Sequence, residues 1–387
     1  MESFFKLTMA VVQASAFIAV AAVEPATASK PSVYFGTYTG AKSQGIYLSH
    51  FDTRSGALTE PELVAEAKNP SFLALHPKLQ VIYSVGEVDE FNGKRTGGIS
   101  AYRIEPGTGR LVLLNQQPSG GTGPCHLSVD RTGGALFAAN YGSGSISSMP
   151  LKADGSLGEP LAPIQHTGSS VNKARQTGPH AHFILPDPRD RFVLACDLGI
   201  DKVLAYKFEP RDASLTPAVP PFARVKPGAG ARHFAFHPNG KFLFVINELD
   251  STISTFSYTS RNGAMRMVSN VHTLPVDFKG PSSCAEVVVH PSGKFVYASN
   301  RGHDSVAIFS VDVKTGQLLP AGFQSTGGKT PRHITLDPSG GWLLASNQDT
   351  HNVCVFRVNP ANGGLFATGQ GLEIGSPVCA LFVPAKQ

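Results

Sequence analysis

The sequence predicts an all-β fold, a seven-bladed β-propeller with four-stranded blades. Three observations predict it. A pair of short apolar strands around an Asp or His recurs six times along the chain, and each copy continues into two further strand patterns. The two ends of the chain supply the missing halves of a seventh copy. Four strands in a period of about fifty residues are typical of a propeller blade.

The six complete copies are defined by an anchor residue between the first two strands. Both strands alternate apolar and polar residues, which is the period of a β-strand. The anchors lie 47 to 57 residues apart and are His76, Asp130, Asp187, His237, His290 and Asp337. Ten residues after each anchor the second strand reaches Gly86, Asn140, Asp197, Asn247, Asn300 or Asn347. The equal offsets indicate a structural repeat, and we expect the Asn side chains to form turns by bonding to backbone.

The chain ends complete the ring. Residues 378–383 have the pattern of a first, innermost strand, and residues 33–38 have the pattern of a second strand. Their pairing would form the seventh blade and protect strand edges that would otherwise invite aggregation. No linker or change of composition divides the rest, so residues 29–387 are predicted to be one domain.

Residues 1–28 have the layout of a secretory signal peptide. Lys6 precedes an apolar stretch at residues 7–23, and Ala26-Thr27-Ala28 gives a small-residue cleavage site. An uncleaved membrane anchor is the alternative. No later segment approaches the length of a transmembrane helix. We therefore expect a periplasmic or secreted protein that does not associate with a membrane after cleavage.

Composition excludes several functions. Charged residues make up 16% of the 387 residues, and the net charge of +5 is spread without runs of Lys or Arg, which argues against nucleic-acid binding. The five cysteines are scattered and form no metal-ligand spacing. We expect most of them to be small buried hydrophobes, with one disulfide left open.

The repeat register places two columns of side chains at one mouth of the central channel. Residues five before and eleven after each anchor lie at the same end of an antiparallel hairpin. The first column is Ser71, Cys125, His182, Arg232, Ala285, Arg332 and Cys379, and the second is Glu87, Tyr141, Leu198, Glu248, Arg301, Gln348 and Tyr38. A shift of one residue adds His126, His233, Glu286 and His333. In a lightly charged chain, this clustering indicates a functional site.

Structural roles remain open for several of these residues. Arg232 and Glu248 could form an ion pair within one blade, and Arg301 could bond to loop carbonyls. Arg332 could match Arg232 only because the blades repeat, without a role in function. His180 and His182 share a strand face, but zinc would need a third ligand that the sequence does not indicate, so no metal site is predicted.

Three motifs in successive blades carry a family resemblance. They are Gly178-Pro179-His180-Ala181-His182, then Arg232-His233 with Asn247-Glu248, then Asn300-Arg301-Gly302. The mature chain, from about Tyr34 to Phe382, resembles the seven-bladed lactonase family, which includes propeller-type 6-phosphogluconolactonases and carboxymuconate-lactonizing enzymes. The resemblance implies a metal-free site without cofactor and the catalytic residues His182 (or His180), Arg232, Glu248 and Arg301. We expect the neighbouring His180, His126, His233, Arg332 and Glu87 to contact substrate.

The function predicted from this resemblance is hydrolysis of a small anionic sugar lactone. His182 or Glu248 would activate water, while Arg232 and Arg301 would stabilise the oxyanion and hold an anionic group. The alternatives are cycloisomerisation of an unsaturated diacid to a lactone and an exported, non-catalytic binding propeller. Export departs from the cytoplasmic 6-phosphogluconolactonase reaction, which leaves the identity of the lactone open.

Overall fold

The structure, a computed structural model, describes Met1 and residues 31–384. The strands in this range form seven antiparallel sheets of four strands each, which confirms the predicted seven-bladed propeller. Apart from Met1, the predicted signal peptide at residues 1–28 lies outside the described residues.

Each of the first four blades begins with its innermost strand, at the central channel, and ends with its outermost strand. Blade 1 contains β28 (Pro377–Val383), β1 (Ser32–Thr37), β2 (Gly45–His50) and β3 (Glu62–Glu66). Blade 2 contains β4 (Leu73–Leu75), β5 (Val81–Gly86), β6 (Gly98–Ile104) and β7 (Leu111–Pro118). Blade 3 contains β8 (Pro124–Val129), β9 (Ala135–Asn140), β10 (Ser145–Pro150) and β11 (Ile164–Gln165). Blade 4 contains β12 (Ala181–Pro186), β13 (Phe192–Asp197), β14 (Lys202–Glu209) and β15 (Ser214–Arg224), with a 3₁₀ turn at Leu198–Ile200.

The last three blades follow the same order. Blade 5 contains β16 (Ala231–Phe236), β17 (Phe242–Asn247), β18 (Thr252–Thr259) and β19 (Ala264–His272). Blade 6 contains β20 (Ser283–Val289), β21 (Phe295–Arg301), β22 (Ser305–Val311) and β23 (Leu318–Ser325). Blade 7 contains β24 (Pro331–Leu336), β25 (Trp342–Asn347), β26 (Asn352–Val358) and β27 (Leu365–Glu373).

The ring closes where the chain ends meet. Strand β28 pairs with β1 in antiparallel register, with Phe35 opposite Ala380 and Val33 opposite Phe382. The innermost strands β4, β8, β12, β16, β20, β24 and β28 contact one another all the way round the channel. Both features match the predicted closure of the seventh blade.

The core is divided among the interfaces between blades. Seven clusters of buried apolar side chains each combine residues of two adjacent blades. In the interface of blades 1 and 2, for example, Tyr34 and Leu48 pack with Ile82 and Tyr102. Burial of these faces, at about 25 cal/mol per Å² of apolar surface, holds neighbouring blades together and fixes the geometry of the channel.

The histidine anchors of the repeat connect consecutive blades at the end of the hairpins opposite the mouth. In each case the ring Nε2 lies within hydrogen-bond distance of a glycine carbonyl in the next blade. The pairs are His76 with Gly133 (3.2 Å), His237 with Gly293 (2.9 Å) and His290 with Gly340 (3.0 Å). A side chain at Gly293 would collide with the His237 ring, which explains why this position is glycine.

The aspartate anchors instead cap their own turn. Asp130 Oδ1 accepts hydrogen bonds of 2.7 Å from the backbone of Gly134 and Ala135. Asp337 Oδ1 accepts one of 2.8 Å from Trp342. Each carboxylate therefore satisfies buried backbone donors at the tip of the hairpin.

The predicted roles of Asn and Cys hold at most positions. The amide groups of Asn140, Asn300 and Asn347 donate to backbone carbonyls, whereas that of Asn247 donates to two hydroxyl groups. All five cysteines are free thiols, and four of them are buried. In the described part of the chain, no helix has the length and apolar character needed to span a membrane.

Candidate active site

The residues at the mouth owe their orientation to a β-bulge repeated in the innermost strands. Strands β8, β12, β16, β20 and β24 all shift register next to their second-strand partner near the mouth. The shifts fall at Cys125, His182, Arg232, Ala285–Glu286 and Arg332. A bulge bends a strand and re-aims its side chains. Two successive residues of one strand, Arg232 and His233, consequently both contact His182.

Three guanidinium groups surround the Glu248 carboxylate. Arg232 Nη1 and Arg301 Nη2 lie 2.7 and 3.0 Å from Oε2, and Arg175 Nη2 lies 2.8 Å from Oε1. The exposed fractions of the Arg232, Arg301 and Arg175 side chains are 3, 15 and 41%, so the cluster extends from the channel to the surface. Arg232 Nε also donates to Ala285 O at 3.0 Å, and Arg301 Nη2 donates to Cys284 O at 2.8 Å.

The arginines determine the charge state of this cluster. Burial alone would raise the pKa of Glu248, but Arg232, Arg301 and Arg175 together hold that pKa far below its usual range. Burial and the neighbouring Arg232 lower the pKa of Arg301 to about 10, partly offset by Glu248. Glu248 is therefore an anion and Arg301 a cation at neutral pH.

His182 lies beside this cluster as a neutral imidazole. Its Nε2 is in direct contact with Arg232 Nη1, and its Nδ1 lies 3.1 Å from His233 Nε2. Burial and the positive charges of Arg232 and Arg332 keep the pKa of His182 well below its ordinary value. An unprotonated imidazole at neutral pH is able to accept a proton.

A second polar group occupies the other side of the mouth. Arg332 Nη2 donates to the Tyr38 hydroxyl at 2.8 Å, and this hydroxyl donates to Glu87 at 3.0 Å. Ser71 Oγ makes a short hydrogen bond to the same Glu87 carboxylate. Among residues 31–384, Arg332 forms no direct ion pair, and Tyr38 is its one hydrogen-bond partner. Its guanidinium retains free donors and, unlike those of Arg232 and Arg301, is not paired with a carboxylate of the described residues.

A small cavity lies between the two groups. It has an empty volume of about 260 Å³, of which about 10 Å³ accommodates the centre of a water molecule. This is room for roughly one water. Its lining includes His182, Arg232, Arg332, Tyr38 and Glu87. The space that admits a water molecule is too small for a sugar ring, so entry of a sugar requires side chains at the mouth to move.

The two remaining predicted histidines differ in position. His180 stacks on Tyr141 at 4.5 Å between ring centres, and its Nδ1 lies 3.0 Å from Tyr141 O. The His126 ring lies between Phe72 and Phe183, at 4.1 and 3.9 Å, and is not part of the cavity lining. His126 Nδ1 accepts a hydrogen bond from Ile184 N at 3.3 Å, a contact of packing.

The predicted quartet is brought together as one hydrogen-bonded group. Arg232 links His182 to Glu248, and Glu248 links Arg232 to Arg301. No pattern in the sequence indicated Arg175, because it lies in the loop between β11 and β12, outside the repeat. Tyr38 and Ser71 belong to the two register columns, and this position could have identified them as residues of the site.

The chemistry of the mouth favours anions over metal cations. Among residues 31–384 and Met1, no group of three or more His, Cys, Asp or Glu side chains is arranged to hold a metal ion. The donors at the mouth are mostly guanidinium groups, which bind anions rather than cations.

The sequence is similar to several named proteins. It is 39% identical over 300 residues to the 6-phosphogluconolactonase of Bacillus subtilis strain 168, covering 77% of this chain and 83% of that protein. It is 33% identical over 314 residues to the 6-phosphogluconolactonase of Formosa agariphila, covering 79% and 86%.

The fold is also similar to that of a known enzyme structure. The periplasmic gluconolactonase of Pseudomonas aeruginosa aligns with a TM-score of 0.86 and 31% identity, over 92% of this chain and 99% of that one. The family model for lactonase, 7-bladed beta-propeller, matches residues 32–382. This range agrees with the extent of the resemblance predicted from the motifs. The chain therefore belongs to the seven-bladed β-propeller lactonase family.

Proposed function

We propose that the protein hydrolyses a sugar lactone of the gluconolactone type. The observation that carries the proposal is the neutral His182 at a water-sized cavity, between Arg232 and the free donors of Arg332. Relatives named 6-phosphogluconolactonase and gluconolactonase support the substrate class.

In the proposed mechanism, His182 Nε2 accepts a proton from water as the water oxygen bonds to the lactone carbonyl carbon. The carbonyl oxygen becomes an oxyanion. The bond between this carbon and the ring oxygen then breaks, and the ring oxygen takes the proton from His182. The products are an open-chain hydroxy acid and a neutral His182. This sequence requires Arg232 to release Nε2 and turn toward the substrate.

The charges of the site favour His182 over Glu248 as the general base. Proton transfer is efficient when the pKa of the base lies near the working pH. Three arginines hold the pKa of Glu248 far below that range, so its carboxylate is a weak base. Glu248 instead orients Arg232 and Arg301 through the contacts of 2.7 and 3.0 Å.

Arg232 is the proposed donor to the oxyanion. Its Nε and Nη1 are held by Ala285 O, Glu248 and His182, whereas Nη2 has no hydrogen-bond partner among residues 31–384. When Arg232 turns from His182 toward the substrate, Ala285 O and Glu248 still hold its guanidinium, and its N–H donors stabilise the developing negative charge.

Arg332 is the proposed site for an anionic group of the substrate. Arg301 is paired with Glu248, but Arg332 is bonded to the neutral Tyr38. Its nearby Glu87 is engaged by Tyr38 and Ser71. An incoming phosphate or carboxylate would therefore find an available guanidinium with free N–H donors.

The test is acid release from gluconolactone and 6-phosphogluconolactone, followed by pH-stat and corrected for spontaneous hydrolysis. Purified residues 29–387 are expected to catalyse it, and Arg232→Ala is expected to lose roughly a hundred- to a thousandfold in kcat. Arg266→Ala, an exposed arginine on β19 of the same blade, is the matched control.

The outcomes separate the competing functions. Full turnover in Arg232→Ala would remove the oxyanion role from Arg232. A wild-type protein inert on both lactones but active on an unsaturated diacid would indicate cycloisomerisation. A protein inert on all three substrates would indicate a binding function.

We also propose that residues 1–28 direct export and are removed after Ala28. The sequence pattern and the periplasmic relative from Pseudomonas aeruginosa support this. Intact mass measurement of protein from the periplasm or medium of a bacterial host should give a chain that begins at Ser29. A cytoplasmic protein that retains Lys6 would contradict it.

A further inference from the structure

His233 and Glu286 extend the site beyond the residues that the proposed mechanism uses. His233 Nε2 lies 3.1 Å from His182 Nδ1, and His233 Nδ1 lies 3.0 Å from Glu286 Oε2. The three side chains come from the innermost strands of blades 4, 5 and 6. Arg232, His182, His233 and Glu286 thus form one continuous row of hydrogen bonds.

The first end of the row fixes the direction of its donors. A guanidinium group has N–H donors and no acceptor. Since Arg232 Nη1 contacts His182 Nε2, that nitrogen must carry the lone pair. A neutral His182 then has its proton on Nδ1 and donates to His233 Nε2. His233 in turn has its proton on Nδ1 and donates to Glu286.

The other end of the row gives the same direction independently. Ala380 N–H donates to His333 Nδ1 at 3.3 Å, so a neutral His333 has its proton on Nε2, which faces Glu286 Oε2 at 3.7 Å. The Val287 amide donates to Glu286 Oε1 at 3.1 Å. Both oxygens of Glu286 are therefore surrounded by donors, and the carboxylate acts as an acceptor.

We propose that His233 and Glu286 are positioning residues that keep His182 in the tautomer with its proton on Nδ1 when Arg232 leaves Nε2. This inference rests on the proposed function, since it gives His182 the lone pair on Nε2 that a general base needs. It also places the Glu286 carboxyl group, through two hydrogen bonds, behind the imidazolium that forms when His182 accepts a proton; burial raises the pKa of Glu286, and His333, the Val287 amide and Arg232 partly offset this. The arrangement follows the same logic as a carboxylate that orients a catalytic histidine.

Burial argues that this row has a role beyond folding. The side chains of His233 and Glu286 are 4 and 7% exposed. A buried carboxylate costs more to desolvate than a well-packed apolar side chain. Glu286 is nevertheless found in innermost strand β20, whose other core-packed side chains are apolar. The bulge at Ala285–Glu286 turns this carboxylate toward the cavity that it lines. Both ring nitrogens of His233 are already engaged, which leaves none for a substrate.

The tautomer of His182 is directly measurable. Nitrogen-15 NMR of histidine-labelled protein distinguishes a protonated from an unprotonated ring nitrogen, and His182→Gln assigns the signals. We expect His182 protonated on Nδ1 and unprotonated on Nε2 at neutral pH. Because Arg232 also favours this tautomer, the role of His233 is measured without it: we expect His182 to stay protonated on Nδ1 in Arg232→Ala and to become a mixture of the two tautomers in Arg232→Ala/His233→Leu. A wild-type His182 protonated on Nε2, or the same single tautomer in Arg232→Ala and in the double variant, would overturn the proposal.

Kinetics provide the second readout. Leucine at position 233 neither donates nor accepts, whereas glutamine is able to donate to Glu286 and accept from His182. We expect His233→Leu to lower kcat on gluconolactone roughly ten- to a hundredfold with little change in KM, and His233→Gln to recover most of this loss. Equal losses in both variants would contradict the positioning role.

One control variant and one independent readout keep the interpretation clear. His290→Leu removes a histidine contact of 3.0 Å at the opposite end of blade 6 and measures the effect of general destabilisation. If the wild-type protein hydrolyses no lactone, the proposed function fails, but the NMR measurement still decides whether His233 and Glu286 set the tautomer of His182.

Discussion

At the scale of single residues, the mouth contains two kinds of arginine. Arg175, Arg232 and Arg301 share the carboxylate of Glu248. Arg332 instead donates to Tyr38, with its guanidinium 5.3 Å from the centre of that ring. The first three are held in place by one carboxylate, which neutralises part of their positive charge, whereas Arg332 keeps its charge available to a ligand.

This difference predicts a substrate-dependent effect of Arg332→Gln. Loss of a charge-assisted contact worth about 1.5–3 kcal/mol should raise KM for 6-phosphogluconolactone roughly ten- to a hundredfold. KM for the uncharged gluconolactone should change much less. Initial rates on both lactones measure this ratio. An equal increase in KM for the two substrates would mean that Arg332 does not bind the anionic group.

At the scale of strands and turns, the repeat combines two devices. The bulges near the mouth direct successive residues of the innermost strands toward the channel. The anchors at the opposite end satisfy backbone groups and connect blades. Function and stability therefore occupy opposite ends of the same hairpins.

The hydrogen bonds of the buried anchor residues predict that Asp337→Ala lowers the stability of the fold. Asp337 is 2% exposed and accepts hydrogen bonds from Trp342 N at 2.8 Å and Ser339 N at 3.1 Å. Leaving these donors without a partner should lower the free energy of unfolding by about 1–3 kcal/mol. Urea unfolding measures this change when it is followed by circular dichroism and by the fluorescence of Trp342, the one tryptophan of the chain.

The control for this variant is Asp212→Ala. Asp212 makes a similar backbone contact, of 3.0 Å to Ser214 N, in an exposed turn between β14 and β15. Water replaces that contact, so we expect a much smaller change in stability. Comparable losses in the two variants would show that burial of the anchor is not what matters.

At the scale of the whole molecule, the site depends on closure of the ring. Tyr38 follows the strand that closes blade 1, and it bonds to Arg332 of blade 7 and Glu87 of blade 2. Ala380, on the C-terminal strand, orients His333 toward Glu286. The pairing of β1 with β28 therefore supports both the fold and the positions of side chains in the channel.

The fold was predictable from the sequence because the equal spacing within each repeat defines the register of its strands. Equal offsets from His237 placed Arg232 and Glu248 at one end of a hairpin, and they form an ion pair of 2.7 Å there. The same offsets predicted the pairing of the two chain ends.

The details of the site were less predictable, for physical reasons. Arg175 lies in a loop that no repeat constrains, so nothing in its spacing indicates the contact of 2.8 Å with Glu248. The bulge at Arg232 interrupts the two-residue period from which the register was inferred. Register alone therefore indicated His233 only as a neighbour of the column, not as a partner of His182.

The central claim, that His182 is the general base, is tested most directly by the pH–rate profile of wild type and His182→Gln on gluconolactone. This substrate does not titrate near neutral pH. Burial and the facing Arg232, His233 and Arg332 lower the pKa of His182, so its basic form persists to lower pH than that of an ordinary histidine. We predict that wild-type kcat/KM falls only below about pH 6.5.

His182→Gln keeps a polar side chain between Arg232 and His233 but is unable to accept a proton. We predict that it loses about a hundred- to ten-thousandfold in kcat/KM, together with the acidic limb of the profile. Wild-type rates in His182→Gln, or an acidic limb that remains in this variant, would contradict the assignment of His182 as the base.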